Sequence, residues 1–255
     1  MTLTTTERID AIKTHSAGLA SAARGADFTA RVEHCPEWTV ADLVDHLTEV
    51  HWFWGSIVDG LLPEPPDESS RPPRAPDDQL VDAFANGAEH LCAVLDNADQ
   101  SAHCWTWAGW KQDVDFVTRH QVQEAAVHHW DAAHAAGSRW SIDPAVAVDS
   151  LDEFLHFSVA SDDDPDDPVK PPLEGTLALH VTDAGPDPAT PASWTLTDGA
   201  RPGTVRVTAG ASRNVPTLAA PAGDLLLWLY DRVPLDTSAV PADLLARFQA
   251  MRFTD

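Results

Sequence analysis

Apolar residues recur at intervals of three and four over about the first 160 positions, the period of a helix with one buried face. The first such stretch is "TERIDAIKTHSAGLASAARG", closed by Gly25. The second is "WTVADLVDHLTEVHWFWGSIVDGLL", with Thr39 as N-cap and Val40, Leu43, Leu47, Val50, Trp54, Ile57 and Leu61 on one stripe. The Pro-rich run "PEPPDESSRPPRAPDD" cannot be helical and reads as an exposed loop. "DQLVDAFANGAEHLCAVLDNA" predicts a third helix, and the Trp-rich connection "CWTWAGWKQD" leads to a fourth near 113–136. A fifth is expected over 143–160.

The period then changes. "SDDDPDDPVKPP" is acidic, Pro-rich and without apolar rhythm, as in a linker. Beyond it "TLALHVTD", "SWTLTDG" and "TVRVTAG" alternate apolar and polar residues as strands do. "AGDLLLWLYDRV" and "PADLLARFQAM" return to helix. The expected architecture is multidomain, α and α+β: a helical bundle over 1–160, a linker over 161–173 and a small C-terminal α+β domain over 174–255.

On a wheel of 100° per residue the fourth helix places Val114, Val117, Gln121, Glu124, Ala125, His128, Asp131, Ala132 and Ala135 within about 120° of one another. That face should meet the bundle interior, yet Glu124, His128 and Asp131 titrate. His129 and His134 point elsewhere and are expected at the surface. Burying a carboxylate beside an imidazole costs several kcal/mol for an unpaired charge, so it needs compensation. A Glu–His hydrogen bond within the core is one solution. A metal ion is the other, since an i, i+4 pair projects both ligand atoms to one side. A zinc site then needs a further protein ligand. The second helix offers His46 and His51, about 140° apart on the wheel, with His51 inside the apolar stripe and His46 at its edge. Periodicity does not choose between them. His15, His34, His90, His103, His120, His156 and His180 show no partner pattern and read as surface or ordinary core positions, with His120, one turn before Glu124, in reserve.

Composition narrows the function classes. The 255 residues carry 40 acidic and 16 basic side chains, a formal charge of −24, which argues against nucleic acid and anionic membrane surfaces as partners. Three cysteines, Cys35, Cys92 and Cys104, are too few and too widely spaced for a disulfide framework or a C-x-x-C metal knuckle, and each is expected as a buried or half-buried thiol. "MTLTTTERID" lacks a signal-peptide pattern, and no apolar run is long enough to span a membrane, so a cytoplasmic location is expected.

"CPEWTVADLVDHLTEVHWFW", "RHQVQEAAVHHWDA" and "DLLLWLYDRVP" together resemble the mycothiol-dependent maleylpyruvate isomerase family, in the same order and over nearly the whole chain. The resemblance implies a DinB/YfiT-like four-helix bundle joined to a smaller α+β domain. It implies a metal, generally zinc though other divalent ions suit such ligands, held by His46 of "L-x-x-H" and by Glu124 and His128 of "E-x-x-x-H-x-W-D". It also matches Arg232 of "LYDRVP" to an arginine that binds the acidic substrate, a position that a helix-end arginine equally explains. Asp131 is then suited to orienting a ligand imidazole, or to a plain helix-surface contact. Trp105, Trp107 and Trp110 offer faces for the sugar of mycothiol, or core packing.

The expected activity is that of a zinc-dependent, mycothiol-using isomerase or S-transferase acting on a small electrophile. Two alternatives stand beside it. One is a metal-dependent hydrolase with Asp131 as base; the other is a non-catalytic ligand-binding module. The Pro-rich loop at 62–78 and the acidic linker at 161–167 are departures from the family that bear on the substrate.

Overall fold

The computed structural model describes residues 3–160, 170–185, 192–201 and 203–254. Residues 161–169, most of the expected linker, lie outside the described residues. The chain divides into two compact units, Leu3–Ile142 and Asp143 onward.

The first unit is built on four long helices: α1 (Thr5–Gly25), α2 (Val40–Gly60), α3 (Leu80–Asn97) and α4 (Val114–Ala135). A short hairpin, β1 (Arg31–Val32) and β2 (Cys35–Thr39), links α1 to α2. Each start has a local cause. Thr4 and Glu7 form a capping box at α1, as do Thr39 and Asp42 at α2, where the Asp42 carboxylate accepts from the Thr39 N–H at 2.9 Å. Asp113 caps α4 by accepting from the Phe116 N–H.

α1 packs on α3 and α4, and α2 packs on the same two helices. Leu19, Leu43, Val44, Leu47, Leu80 and Phe84 form one apolar cluster between α1, α2 and α3. α4 is enclosed more fully than the expected stripe allows. Phe116, Thr118, His120, Val122, Gln123, Ala126, Val127, Trp130 and Ala133 are buried alongside the inward residues.

Helix α5 (Pro144–Phe154), continued by a π-helical turn over Leu155–Val159, was expected to belong to the bundle. It packs instead with α6 (Ala222–Leu229) in the second unit. That unit holds a four-stranded mixed sheet of order β5-β4-β3-β6: β3 (Thr176–Val181), β4 (Ser193–Asp198), β5 (Val205–Ala209) and β6 (Thr217–Ala220). The first three are antiparallel neighbours and match the three alternating stretches in the sequence. β6 pairs with β3 in parallel. Its four residues, Thr-Leu-Ala-Ala, are too short and too weakly alternating to stand out. α7 (Ala242–Met251) follows α6. Cys92 and Cys104 are buried and Cys35 is half-buried. Among the described residues no helix is long and apolar enough to cross a membrane.

The close approach of α1 to α4 depends on Gly18. His129, expected at the surface, instead lays its ring over this glycine, and a Cβ there would meet its Cε1 at 2.2 Å. The ring has little room to retreat, because Trp140 lies 4.0 Å from its centroid and His15 Nδ1 is 3.3 Å from its own Nδ1. Gly18→Ala normally gains up to about 1 kcal/mol of helix propensity. Here it should instead lower stability by about 1–3 kcal/mol through overpacking. Adding His129→Ala should recover part of that loss, read as the urea midpoints of the two variants.

Candidate metal centre

α2 and α4 lie side by side, and their polar residues meet where they touch. His46 Nε2 is 3.1 Å from Glu124 Oε1, and His128 Nε2 is 3.5 Å from the same oxygen. The three groups form a set whose donor atoms all lie within 4.8 Å of one another. The His128 side chain keeps 8% of its surface exposed, Glu124 12% and His46 28%, so the cluster is deep but open on the His46 side.

Packing separates the two histidines of α2. Because His46 and His51 point in different directions, each meets a different neighbour. His46 reaches α4, whereas His51 stacks on Phe84 of α3 with ring centroids 5.1 Å apart. His51 is 1% exposed and its Nδ1 has no hydrogen-bond partner among the described residues. Burial pushes its pKa down to about 4, and the Glu124 charge opposes this only in part. It is a neutral core histidine at pH 7. It also lines a cavity of 280 Å3 beneath the Pro-rich loop, which folds back on α2 through Arg71 to Glu49 and Arg74 to Asp45.

Asp131 sits one turn beyond His128. Its carboxylate accepts from His128 Nδ1 at 2.9 Å, and its side chain has no exposed surface. That bond keeps a proton on Nδ1, so a neutral His128 ring would turn a lone pair at Nε2 towards Glu124. Two acceptors then face each other, which is unfavourable unless a proton or a cation lies between them. For Glu124, burial alone would raise the pKa. The positive charge of His128 when protonated, the hydrogen bond and charge of His46, and the charge of His120 outweigh it and hold the carboxyl well below the usual carboxylate range. Two imidazole nitrogens and an ionised carboxylate are a donor set suited to zinc and its neighbours in the first transition row.

Aromatic rings frame the cluster. Trp38, at the end of β2, lies 4.6 Å from the His46 ring and 6.0 Å from that of His128. Sequence reasoning missed it, because a bulky residue just before an N-cap reads as a packing staple. His120 stacks on Phe116 and meets Trp54 and Trp107 edge-on. Trp107 and Trp110 remain 45% and 49% exposed; Trp107 meets His120, one turn of α4 before Glu124, whereas Trp110 meets Phe116.

Arg232 belongs to the second unit. α6 ends in a Schellman motif, with Asp231 in the left-handed region at φ 60° and the Arg232 N–H donating to the Leu227 carbonyl at 2.8 Å. The guanidinium donates to the Tyr230 carbonyl at 2.7 Å and lies over that residue's ring at 5.8 Å. These are helix-end contacts.

Residues 9–133 match the family model described as Mycothiol maleylpyruvate isomerase N-terminal domain. The helical unit belongs to that family. The matched span is just under half of the chain and includes His46, Glu124, His128 and Asp131, and the domain is DinB-like. No curated protein and no solved structure matches the chain.

The neutral state of His51 predicts a pH dependence of stability. An unfolded histidine protonates near pH 6.5, whereas His51 stays neutral in the fold until about pH 4. Its contribution is therefore complete above pH 6.5 and is lost as pH falls towards 4, by about 2–3 kcal/mol. Urea unfolding at pH 7 and pH 4.5 should show His51→Phe losing less stability over that interval than the native chain.

Proposed function

We propose that this protein is a metal-dependent enzyme that uses mycothiol as a thiol co-substrate, acting as an isomerase or a thiol S-transferase on a small, carboxylate-bearing electrophile. The observation that carries the reading is the convergence of His46 Nε2, Glu124 Oε1 and His128 Nε2 within 4.8 Å in a partly open recess. These three would hold Zn2+ or a similar divalent ion. Bound by three protein ligands, such an ion keeps a position open and stabilises a thiolate, the nucleophilic form of a thiol, near neutral pH.

The chain's own residues do the rest. Asp131 holds His128 in one tautomer and one orientation, and Glu124 supplies a negative charge that two imidazoles keep ionised. Trp38 flanks the recess beside His46. Trp107 and Trp110 offer exposed faces for the thiol's sugar rings. Arg232 is the residue proposed for the substrate carboxylate, to which it would turn its fork. In an isomerase the thiol's sulfur adds to a cis double bond, the carbon–carbon axis rotates and elimination releases the trans product. In a transferase the sulfur stays attached. The hydrolase alternative needs a general base beside the open position. Asp131 was its only candidate, and its enclosed carboxylate is already engaged by His128.

Protein purified without chelator should contain a divalent ion, and turnover should depend on added thiol. His46→Ala, Glu124→Gln and His128→Ala should lose both while keeping their helical circular dichroism. Asp131→Asn should weaken metal affinity by about 10–100-fold. Turnover that persists without any thiol would overturn the mycothiol reading. Loss of the metal in His51→Ala, with retention in His46→Ala, would overturn the ligand assignment.

A further inference from the structure

A second group of donors lies on the same unit, at the far end of α4. His134 occupies the last turn of that helix, six residues and so roughly 9 Å along the axis beyond His128. Glu33 and His34 occupy the turn of the β1–β2 hairpin. The fold brings them together although a hundred residues of chain separate them. His134 Nε2 lies 2.7 Å from Glu33 Oε2, and one ligand atom from each of Glu33, His34 and His134 lies within 4.8 Å of the other two.

The two imidazoles are held by a shared wall. Trp130, one turn back on α4, stacks on His134 with ring centroids 4.7 Å apart and planes 9° apart. The same indole lies 5.7 Å from His34, and the His34 and His134 rings are 6.0 Å apart. One aromatic surface thus restrains both ligands, which lowers the ordering entropy that a surface site must otherwise supply. Ligand atoms around a tetrahedral zinc stand about 3.3–3.5 Å apart, given bonds of about 2.0–2.1 Å. Glu33 and His134 are exposed and His34 half-buried, which leaves their side chains room to rotate towards that spacing. A chain of net charge −24 also concentrates cations at its surface.

We propose that Glu33, His34 and His134 form a second divalent-cation site, distinct from the His46–Glu124–His128 cluster and suited to a borderline ion such as Zn2+, Ni2+ or Cu2+. The donor set, two imidazoles and a carboxylate, selects these ions over Mg2+ or Ca2+, which take oxygen ligands. Water completes the coordination at this exposed position. The cation would tie the hairpin to the end of α4. That hairpin also delivers Trp38 to His46, so occupancy here steadies one wall of the deeper recess.

The test uses untagged full-length protein, stripped with chelator and titrated with Zn2+ alone against a chromophoric chelator. The native chain should take up two equivalents, and His134→Ala and His34→Ala one each. His128→Ala should also take up one, and that equivalent should vanish when His134→Ala is added. His134 is exposed and His34 half-buried, so the metal-free variants should keep their helical circular dichroism and a cooperative melt. Equal stoichiometry in the native chain and in His134→Ala overturns the proposal and leaves Glu33–His134 a surface ion pair. A single native equivalent that survives His128→Ala and is lost in His134→Ala supports the hairpin site while removing the deeper one. The opposite pattern removes the hairpin site.

Discussion

The structure of the helical unit turns on one largely enclosed carboxylate. Glu124 lies in the contact between α2 and α4 with an imidazole from each helix against the same oxygen. Left alone, its charge would cost several kcal/mol. It is tolerated because His46, His128 and His120 surround it with positive potential and hydrogen bonding. Asp131 extends the arrangement by fixing the proton of His128 on the far nitrogen. The inner nitrogen is thereby left facing Glu124, where a proton or a cation can lie between the two.

The same constraint explains why α4 is unusual for a core helix. It buries Thr118, His120, Gln121 and Gln123 as well as the cluster. Several of these are paired locally, Thr118 donating to the Gln100 side chain at 2.8 Å and Gln123 meeting His120 at 3.0 Å. A helix enclosed on most sides carries no simple division into wet and dry faces. Its apolar stripe therefore understates its burial, and His129 shows the consequence: off the stripe, it still packs into the α1 contact over Gly18.

The site also draws on parts of the chain that no helical wheel relates to it. Trp38 reaches the cluster because the capping box of Thr39 and Asp42 sets the angle at which the hairpin enters α2. Trp107 comes from the connection between α3 and α4 and meets His120, one turn before Glu124. The recess is thus framed by chain segments far apart in sequence and anchored on two helices that pack directly.

Much of this was legible in the residue order. The helices, the change to alternating strands, the N-cap at Thr39 and the conflict posed by Glu124 and His128 all follow from periodicity and local chemistry, because they depend on residues within one or two turns of each other. His46 was reached only through resemblance, since its position at the edge of the α2 stripe does not say which neighbour it meets. Three-dimensional packing decided that His46 faces α4 while His51 faces α3, a choice made by the angle between helices and not by either helix alone. It likewise grouped α5 with α6, paired β6 with β3 in parallel, and brought Glu33 and His34 to His134. Local pattern records which side chains share a face of one element. Only the fold determines which faces are pressed together.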